Sequence, residues 1–199
     1  MVSKTVLVGN SKGTPDILEA LGTYPQLAQQ IAAVVSLSGV VRGSPLAREA
    51  SQAMANMLTM VPGAECEEAD GDNHAIASLH PQVRRHLMET HLLTQGVHYY
   101  SVITFPEPGQ VSFVLRGSYA QLSKIEPRND SQVIIFDQII TRSTLLALVN
   151  ADHWAMSVPV AREHGVLGTT LVNHNDYPRE AFMEALLRFV EEDLASSAR

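Results

Sequence analysis

Apolar runs and a helix-periodic stretch alternate over the first part of the chain. Residues 4–8 (KTVLV) and 31–38 (IAAVVSLS) are runs of β-branched and aliphatic residues, which predict strands buried on both faces. A helix is predicted between them, from about Pro15 to Leu27, with a proline near its start and apolar residues at Ile17, Leu18, Leu21 and Leu27. A strand, a helix and a strand in this order predict a βαβ unit with parallel strands.

The middle of the chain is more polar than its first part. Residues 46–95 are polar with scattered apolar positions and predict two or more helices, broken near 62–73. The run 97–105 (VHYYSVITF) predicts a strand, and an irregular stretch containing prolines and glycines follows it. A short apolar run at 133–136 (VIIF) precedes a last predicted strand at 145–149 (LLALV).

The tail is typical of an amphipathic helix. It extends from Pro178 to about Leu194 and carries apolar residues at Phe182, Leu186, Phe189 and Val190. The alternation of strands and helices predicts an α/β fold with a mostly parallel sheet and flanking helices. A length of 199 residues suits one domain, so we expect a single domain over residues 1–199.

Composition excludes several classes of protein. Hydrophobic residues make up 45% and charged residues 18% of the chain, which predicts a packed core. A net charge of −7 without any Lys/Arg cluster argues against nucleic-acid binding. The single cysteine, Cys66, excludes an internal disulfide and a Cys-rich zinc site. No stretch resembles a membrane span or a signal peptide, so a cytoplasmic protein is expected.

Ser11 is the first candidate for chemistry. The stretch Gly9-Asn10-Ser11-Lys12-Gly13 fits G-x-S-x-G between a predicted strand and a predicted helix. Such a turn exposes a serine hydroxyl, and we expect side chains at either flanking glycine to collide with neighbouring elements. The alternatives are a polar residue in a tight turn or a phosphate-binding loop, but the string required for the latter does not occur. The context favours a nucleophile.

His153 is the candidate general base. It lies in Asn150-Ala151-Asp152-His153-Trp154, directly after the last predicted strand, where a histidine could reach Ser11. A surface histidine in a loop is the alternative, and we interpret most of the seven others in this way. His86 and His91 are five residues apart, off the spacing of a helical metal site. No metal or cofactor is therefore expected.

Two acids compete for the role of orienting the histidine. Asp130 lies in a polar Asn-Asp turn, and Asp137 follows the apolar run at 133–136. Asp152 adjoins His153 and is expected to point away from it. The order nucleophile, acid, histidine suits this fold, and Asp130 is preferred because an exposed turn puts its carboxylate at a sheet end.

The chain resembles the bacterial lipase/esterase-like branch of the α/β-hydrolases. The matching stretches are VLVGNSKGTPDILEAL, VVSLSGVVRGSPLA, RNDSQV and DQIITRSTLLALVNADHWA, which cover about half of the chain. The resemblance implies Ser11 as nucleophile, Asp130 or Asp137 as acid and His153 as base. It also implies the backbone N–H of Lys12 as first oxyanion donor. Ser131 stands where the lipases' Asn-Asp-Gly turn has glycine.

The resemblance also exposes a departure. In these proteins several strands precede the elbow strand, and a loop among them supplies the second oxyanion N–H. Here the elbow strand begins at about residue 4, so those strands are expected to be absent from this chain. The chain is then either a fragment or a short form. Because an unpaired strand edge is a liability, we expect association, with a homodimer meeting through the sheet edge or the elbow.

An ester hydrolase using an acyl-enzyme follows as the expected function. The helical insert at 46–95 lies where related folds carry a cap, and its methionines at Met54, Met57, Met60 and Met88 could line an apolar acyl pocket. Ordinary helix packing is the favoured interpretation of those methionines. Trp154 either forms a pocket wall or anchors its loop. A non-catalytic binding or assembly module with an incomplete oxyanion hole is the competing hypothesis.

Overall fold

The computed structural model describes residues 4–48, 74–91, 93–156 and 177–197. Four parallel strands form one sheet in this part of the chain, in the order β1-β2-β3-β4. They are β1 (Thr5–Asn10), β2 (Ile31–Leu37), β3 (His98–Thr104) and β4 (Thr144–Val149). The α/β class with a mostly parallel sheet, predicted from the apolar runs, is confirmed.

Helices connect and flank the strands. The α-helices of the described residues are α1 (Gly13–Thr23), α2 (His74–Ala77), α3 (Pro81–Thr90), α4 (Arg116–Leu122) and α5 (Arg179–Ser197). Short 3₁₀ segments lie at Pro25–Gln29, Pro45–Arg48, Pro108–Gln110, Phe113–Leu115 and Ile135–Gln138. None of the helices described is long and apolar enough to cross a membrane.

The sheet is covered on both faces. Ala33, Val35 and Leu37 of β2 pack in a buried cluster with Leu186 and Val190 of α5. On the other face, Val34 belongs to a second buried cluster that includes Leu18 and Leu21 of α1. Because side chains of a strand alternate between its faces, a strand packed on both sides must be apolar throughout. This explains the continuous apolar run of β2.

Helix α1 is shorter than its apolar spacing predicts. The spacing suggested a helix to Leu27, whereas α1 ends at Thr23 and a 3₁₀ segment follows. Pro25 has no N–H and therefore cannot donate to the carbonyl of Leu21. Instead the Thr94 hydroxyl donates to that carbonyl over 3.2 Å. The proline thus ends the helix.

A helix was missed between β3 and β4. The sequence there was interpreted as irregular, but it contains α4, preceded by the 3₁₀ segment Phe113–Leu115. Leu115 and Leu122 are both buried and lie two helical turns apart. The intervening stretch is too short and too polar for its period to stand out. Helix α4 precedes the turn that carries Asp130.

Two further predictions concern the insert and the sheet edge. Of the insert at 46–95, the structure describes 46–48, α2, α3 and the residues before β3, whereas Met54, Met57, Met60 and Cys66 lie outside the described residues. The single domain and the cap stay predictions.

Among the described residues β1 pairs with β2 alone, so the elbow strand lies at the edge of the sheet.

Candidate active site

Ser11 lies in a strained turn at the carboxyl end of β1. Its φ is 51°, in the left-handed region that residues with a side chain rarely adopt. Backbone hydrogen bonds hold the turn on both sides: the Ser11 N–H donates to the Leu37 carbonyl over 3.1 Å, and the Val40 N–H donates to the Ser11 carbonyl over 3.1 Å. Such strain, about 1–3 kcal/mol, persists only where the surroundings fix it.

The two glycines around Ser11 differ in their surroundings. A Cβ at Gly9 would lie 2.7 Å from the Cα of Thr14, a backbone atom that cannot move aside. A Cβ at Gly13 would meet nothing within 4 Å. The expectation of crowding is therefore right for Gly9 and wrong for Gly13, because Gly13 begins α1 and its missing side chain would point into open space.

His153 contacts Ser11 across the sheet end. Its Nε2 lies 2.8 Å from the Ser11 Oγ, and the ring is buried. The loop is held by Asp152, whose carboxylate accepts hydrogen bonds from the N–H groups of Ser112, Trp154 and Ala155. These hydrogen bonds of the Asp152 carboxylate thus go to backbone N–H groups, and it is Asp130 that is hydrogen-bonded to the His153 ring.

Asp130 holds the other nitrogen of the histidine ring. Its Oδ2 lies 2.7 Å from His153 Nδ1, and the His153 N–H donates to the Asp130 carbonyl over 2.9 Å. The second carboxylate oxygen, Oδ1, accepts from the backbone N–H groups of Gln132 and Val133 at 2.9 and 2.7 Å. The expectation of an exposed turn is wrong, because Asp130 is fully buried and donors from Thr104, Gln132 and Val133 surround its carboxylate. With the Asp130 carboxylate as acceptor, His153 Nδ1 donates to it and Nε2 accepts from the Ser11 hydroxyl.

Asp137, the alternative acid, lies in a different cleft. It lines a cavity of about 640 Å³ together with Arg42, Arg85 and others. Burial raises the pKa of Asp137 to about 6, although Arg42 and Arg85 oppose the shift. Its backbone carbonyl accepts the Arg42 N–H over 3.0 Å, which fixes this segment beside the loop after β2. Of the two acids, Asp130 is the one hydrogen-bonded to the histidine.

The charge state of His153 follows from its neighbours. Burial alone would lower its pKa, but the charge of Asp130, the hydrogen bond to it and the more distant charge of Asp152 raise the pKa above its usual value. A raised pKa means that folding stabilises the imidazolium. This contribution to stability is present in full below the unfolded pKa and is lost as pH rises through the folded one. The neutral imidazole of His153, the form that can accept a proton, therefore predominates only at a pH above the ordinary pKa of histidine.

Ser131 is a second strained serine of the site. It occupies the position where the resemblance implies glycine, and its φ is 82°. The residue is fully buried, and its hydroxyl has no hydrogen-bond partner among the described residues. The Asn129 side chain accepts the Ser131 N–H over 3.0 Å, so the turn keeps its shape without the glycine. The replacement therefore leaves the Asp130 position intact.

A small cavity opens beside Ser11 and His153. It has a volume of about 140 Å³ and an apolar wall made by Val40, Leu46, Ala47, Ile76, Leu79 and Trp154. Trp154 thus forms part of a pocket wall, one of the two roles that the sequence left open. Met88, the only described methionine of the predicted acyl pocket, lines other cavities. Met88 also packs against the buried cluster that includes Leu18 and Leu21, which supports ordinary helix packing for this methionine.

Thr104, which contacts Asp130, was missed in the sequence, as were two residues that contact Thr104. Thr104 donates a hydrogen bond to Asp130 Oδ2, and Ser38 and Gln138 both contact Thr104. The only signal in the sequence was the position of Ser38 and Thr104 at the ends of predicted strands.

In the parts of the chain that the structure describes, no three His, Cys, Asp or Glu side chains are grouped to hold a metal.

Comparison with known structures agrees with this fold. The chain is similar to a metagenomic carboxyl esterase, with 39% sequence identity and a TM-score of 0.85 over 96% of this chain. It spans 57% of that esterase. Bacillus licheniformis lipase BlEst2 in its mature form is 20% identical, with a TM-score of 0.63 over 92% of this chain and 66% of the lipase. Staphylococcus hyicus lipase is 10% identical, with a TM-score of 0.64 over 98% of this chain and 71% of the lipase.

The class of fold follows from these likenesses. The protein has the α/β-hydrolase-like fold, and the three structures named above are those of one carboxyl esterase and two lipases. Among the proteins compared above, the metagenomic esterase alone combines high identity with high structural similarity. The two lipases, at lower identity, support the fold only. No protein-family model matches the chain, and no curated protein matches its sequence.

Proposed function

We propose that the protein hydrolyses carboxylic esters through Ser11, His153 and Asp130. The observation that carries the proposal is the hydrogen-bonded chain from the Ser11 Oγ through His153 to Asp130, with contacts of 2.8 and 2.7 Å. His153 takes the proton of Ser11 as its oxygen attacks the ester carbonyl, and returns it to the leaving alcohol. Water then hydrolyses the acyl-enzyme by the same route. The likeness to a carboxyl esterase supports this reaction class.

The Lys12 N–H is the proposed first oxyanion donor. Lys12 follows Ser11 and immediately precedes α1, so its N–H lies in the positive field of the helix start. No described residue accepts a hydrogen bond from this N–H. A donor directed at the position of the oxyanion, in a site shielded from water, lowers the barrier of acyl transfer. The Lys12 ammonium itself pairs with Asp16 at 2.6 Å, on the exposed side of the helix.

A panel of p-nitrophenyl esters of increasing acyl length tests the proposal. The cavity of about 140 Å³ has room for about four or five methylene-sized groups. We therefore expect turnover to rise from acetyl to medium-chain esters and to fall for long chains. Release of p-nitrophenol, followed by its absorbance, measures the turnover. A folded sample that turns over no ester would favour the competing hypothesis of a non-catalytic binding module.

A variant that fills the cavity sharpens the test. Ile76→Trp is expected to move the optimum toward acetyl esters because Ile76 lines the apolar wall. Ile125→Trp is the matched control, since Ile125 is 61% exposed and lies outside this cavity. If the wild type already turns over acetyl esters alone, the apolar acyl pocket is wrong. If both variants shift the optimum equally, Ile76 does not form the acyl site.

We also propose that the protein forms a homodimer through the edge of β1. In the described residues β1 pairs on one side only, and Val8 on it is 38% exposed. An unpaired strand edge presents N–H and C=O groups to another chain. Light scattering is expected to give twice the mass of the 199-residue chain, and Val8→Lys to give a monomer. Leu148→Lys, on the opposite edge and 59% exposed, is the matched control that keeps the dimer. A monomeric wild type would contradict this interface.

A further inference from the structure

Two buried hydroxyl groups form a chain behind Asp130. The Thr104 Oγ1 lies 3.0 Å from Asp130 Oδ2, the same oxygen that His153 contacts, and 2.8 Å from the Ser38 Oγ. Thr104 is the last residue of β3, and Ser38 directly follows β2. Neither residue has exposed surface. Water therefore does not replace either contact.

The direction of these hydrogen bonds follows from counting hydrogens. An ionised carboxylate only accepts, so the single hydrogen of the Thr104 hydroxyl points at Asp130. The Ser38 hydroxyl must then donate to Thr104, since Thr104 has no second hydrogen. The backbone of Thr104 is fixed independently: its N–H donates to Gln138 Oε1 and its carbonyl accepts from Gln138 Nε2, each over 2.8 Å. The Thr104 hydroxyl also lies 3.4 Å from Gln138 Oε1, but Asp130 Oδ2, at 3.0 Å, is the closer acceptor for its hydrogen.

Strain at Ser38 supports a role for its hydroxyl. Ser38 has a φ of 49°, although it is neither glycine nor exposed. A serine in this backbone conformation costs stability that a glycine would not. Its N–H donates to the Val102 carbonyl over 3.1 Å, which anchors the strained residue against β3. The strained position keeps its hydroxyl against Thr104.

We propose that Thr104, oriented by Ser38, is a positioning residue that sets the basicity of the Asp130–His153 pair. This inference rests on the proposed ester hydrolysis. The hydrogen of Thr104 lies close to the oxygen that holds His153 Nδ1, and its partial positive charge opposes protonation of the imidazole. The hydroxyl also fixes the carboxylate in the plane that the ring requires. Without it, the imidazolium is more stable and the carboxylate less well oriented.

The test compares Thr104→Val with Thr104→Ser. Thr104→Val is expected to lower kcat roughly tenfold with little change in KM, because a hydrogen bond to a charged group is lost while the acyl cavity is untouched. The acid limb of the pH profile is expected to move to higher pH. Thr104→Ser, which keeps the hydroxyl, is expected to restore both. Ser38→Ala should shift the acid limb in the same direction, by less.

A matched control separates positioning from packing. Ser101 is another fully buried hydroxyl on β3, bonded to Ser143 at 2.7 Å and not to Asp130. Ser101→Ala is expected to lower the melting temperature but to leave kcat and the pH profile unchanged. Equal losses of kcat in Ser101→Ala and Thr104→Val would overturn the proposal, as would an unshifted profile in Thr104→Val.

Proton NMR of the His153 ring gives a readout that needs no substrate. The Nδ1–H resonance and its titration report the Asp130–His153 bond directly, and Thr104→Val should raise the pKa that they show. If the wild type hydrolyses no ester, the proposed reaction fails, while this titration still decides the role of Thr104. An identical titration in wild type and Thr104→Val contradicts the inference, whatever the activity.

Discussion

Ser11→Ala should abolish covalent labelling by a fluorophosphonate probe and lower ester turnover by at least ~10⁴-fold. The probe phosphorylates a serine whose proton has a base to accept it, and the Ser11 Oγ lies 2.8 Å from His153 Nε2. Alanine removes the only atom that can form the acyl-enzyme in the proposed mechanism. Intact-mass spectrometry measures the label, and release of p-nitrophenol measures the turnover.

Ser78→Ala is the matched control for this experiment. The Ser78 hydroxyl donates to the Ala75 carbonyl near the end of α2, and no base contacts it among the described residues. This variant should be labelled like the wild type. A wild type that folds but takes no label would favour a binding module over an enzyme. Label that persists in Ser11→Ala would identify a different nucleophile.

The strands and the elbow could be predicted because their signals are local. A continuous apolar run such as that of β2 requires burial on both faces, and Gly9 before Ser11 requires a close approach of backbone. The same reasoning was wrong for Gly13, where local pattern does not reveal what lies opposite. The end of α1 also has a local cause in Pro25, which the apolar spacing alone overlooked.

The surroundings of Asp130 are different, because they depend on strand order. Ser38 and Thr104 are 66 residues apart and meet only because β2 and β3 are neighbours with their carboxyl ends aligned. The sequence indicated two candidate acids, Asp130 and Asp137. Which of them contacts His153 depends on how the segment between β3 and β4 folds. The missed helix α4 lies in that segment. Long-range contacts of this kind leave no mark on composition or period.

Asparagine substitutions at Asp130 and Asp137 should differ strongly in their effect on turnover. Asp130→Asn should lower kcat about 10⁴-fold, whereas Asp137→Asn should leave turnover intact. Oδ1 of Asp130 accepts two backbone N–H groups, so the amide nitrogen of an asparagine would take the place of Oδ2, facing His153 Nδ1. It would donate to Nδ1 and force the proton onto Nε2. His153 could then no longer accept the proton of Ser11.

Asp137→Asn is the matched control and carries its own stability effect. Burial raises the pKa of Asp137 from 3.8 to about 6, so ionisation in the folded state costs stability as pH rises through this window. Asparagine removes the cost, and the variant should be more stable than the wild type by about 1 kcal/mol above pH 6, after discounting for solvent. The difference should vanish below pH 3.8. Urea unfolding at several pH values measures it. Loss of turnover in Asp137→Asn, with Asp130→Asn active, would transfer the role of the acid to Asp137.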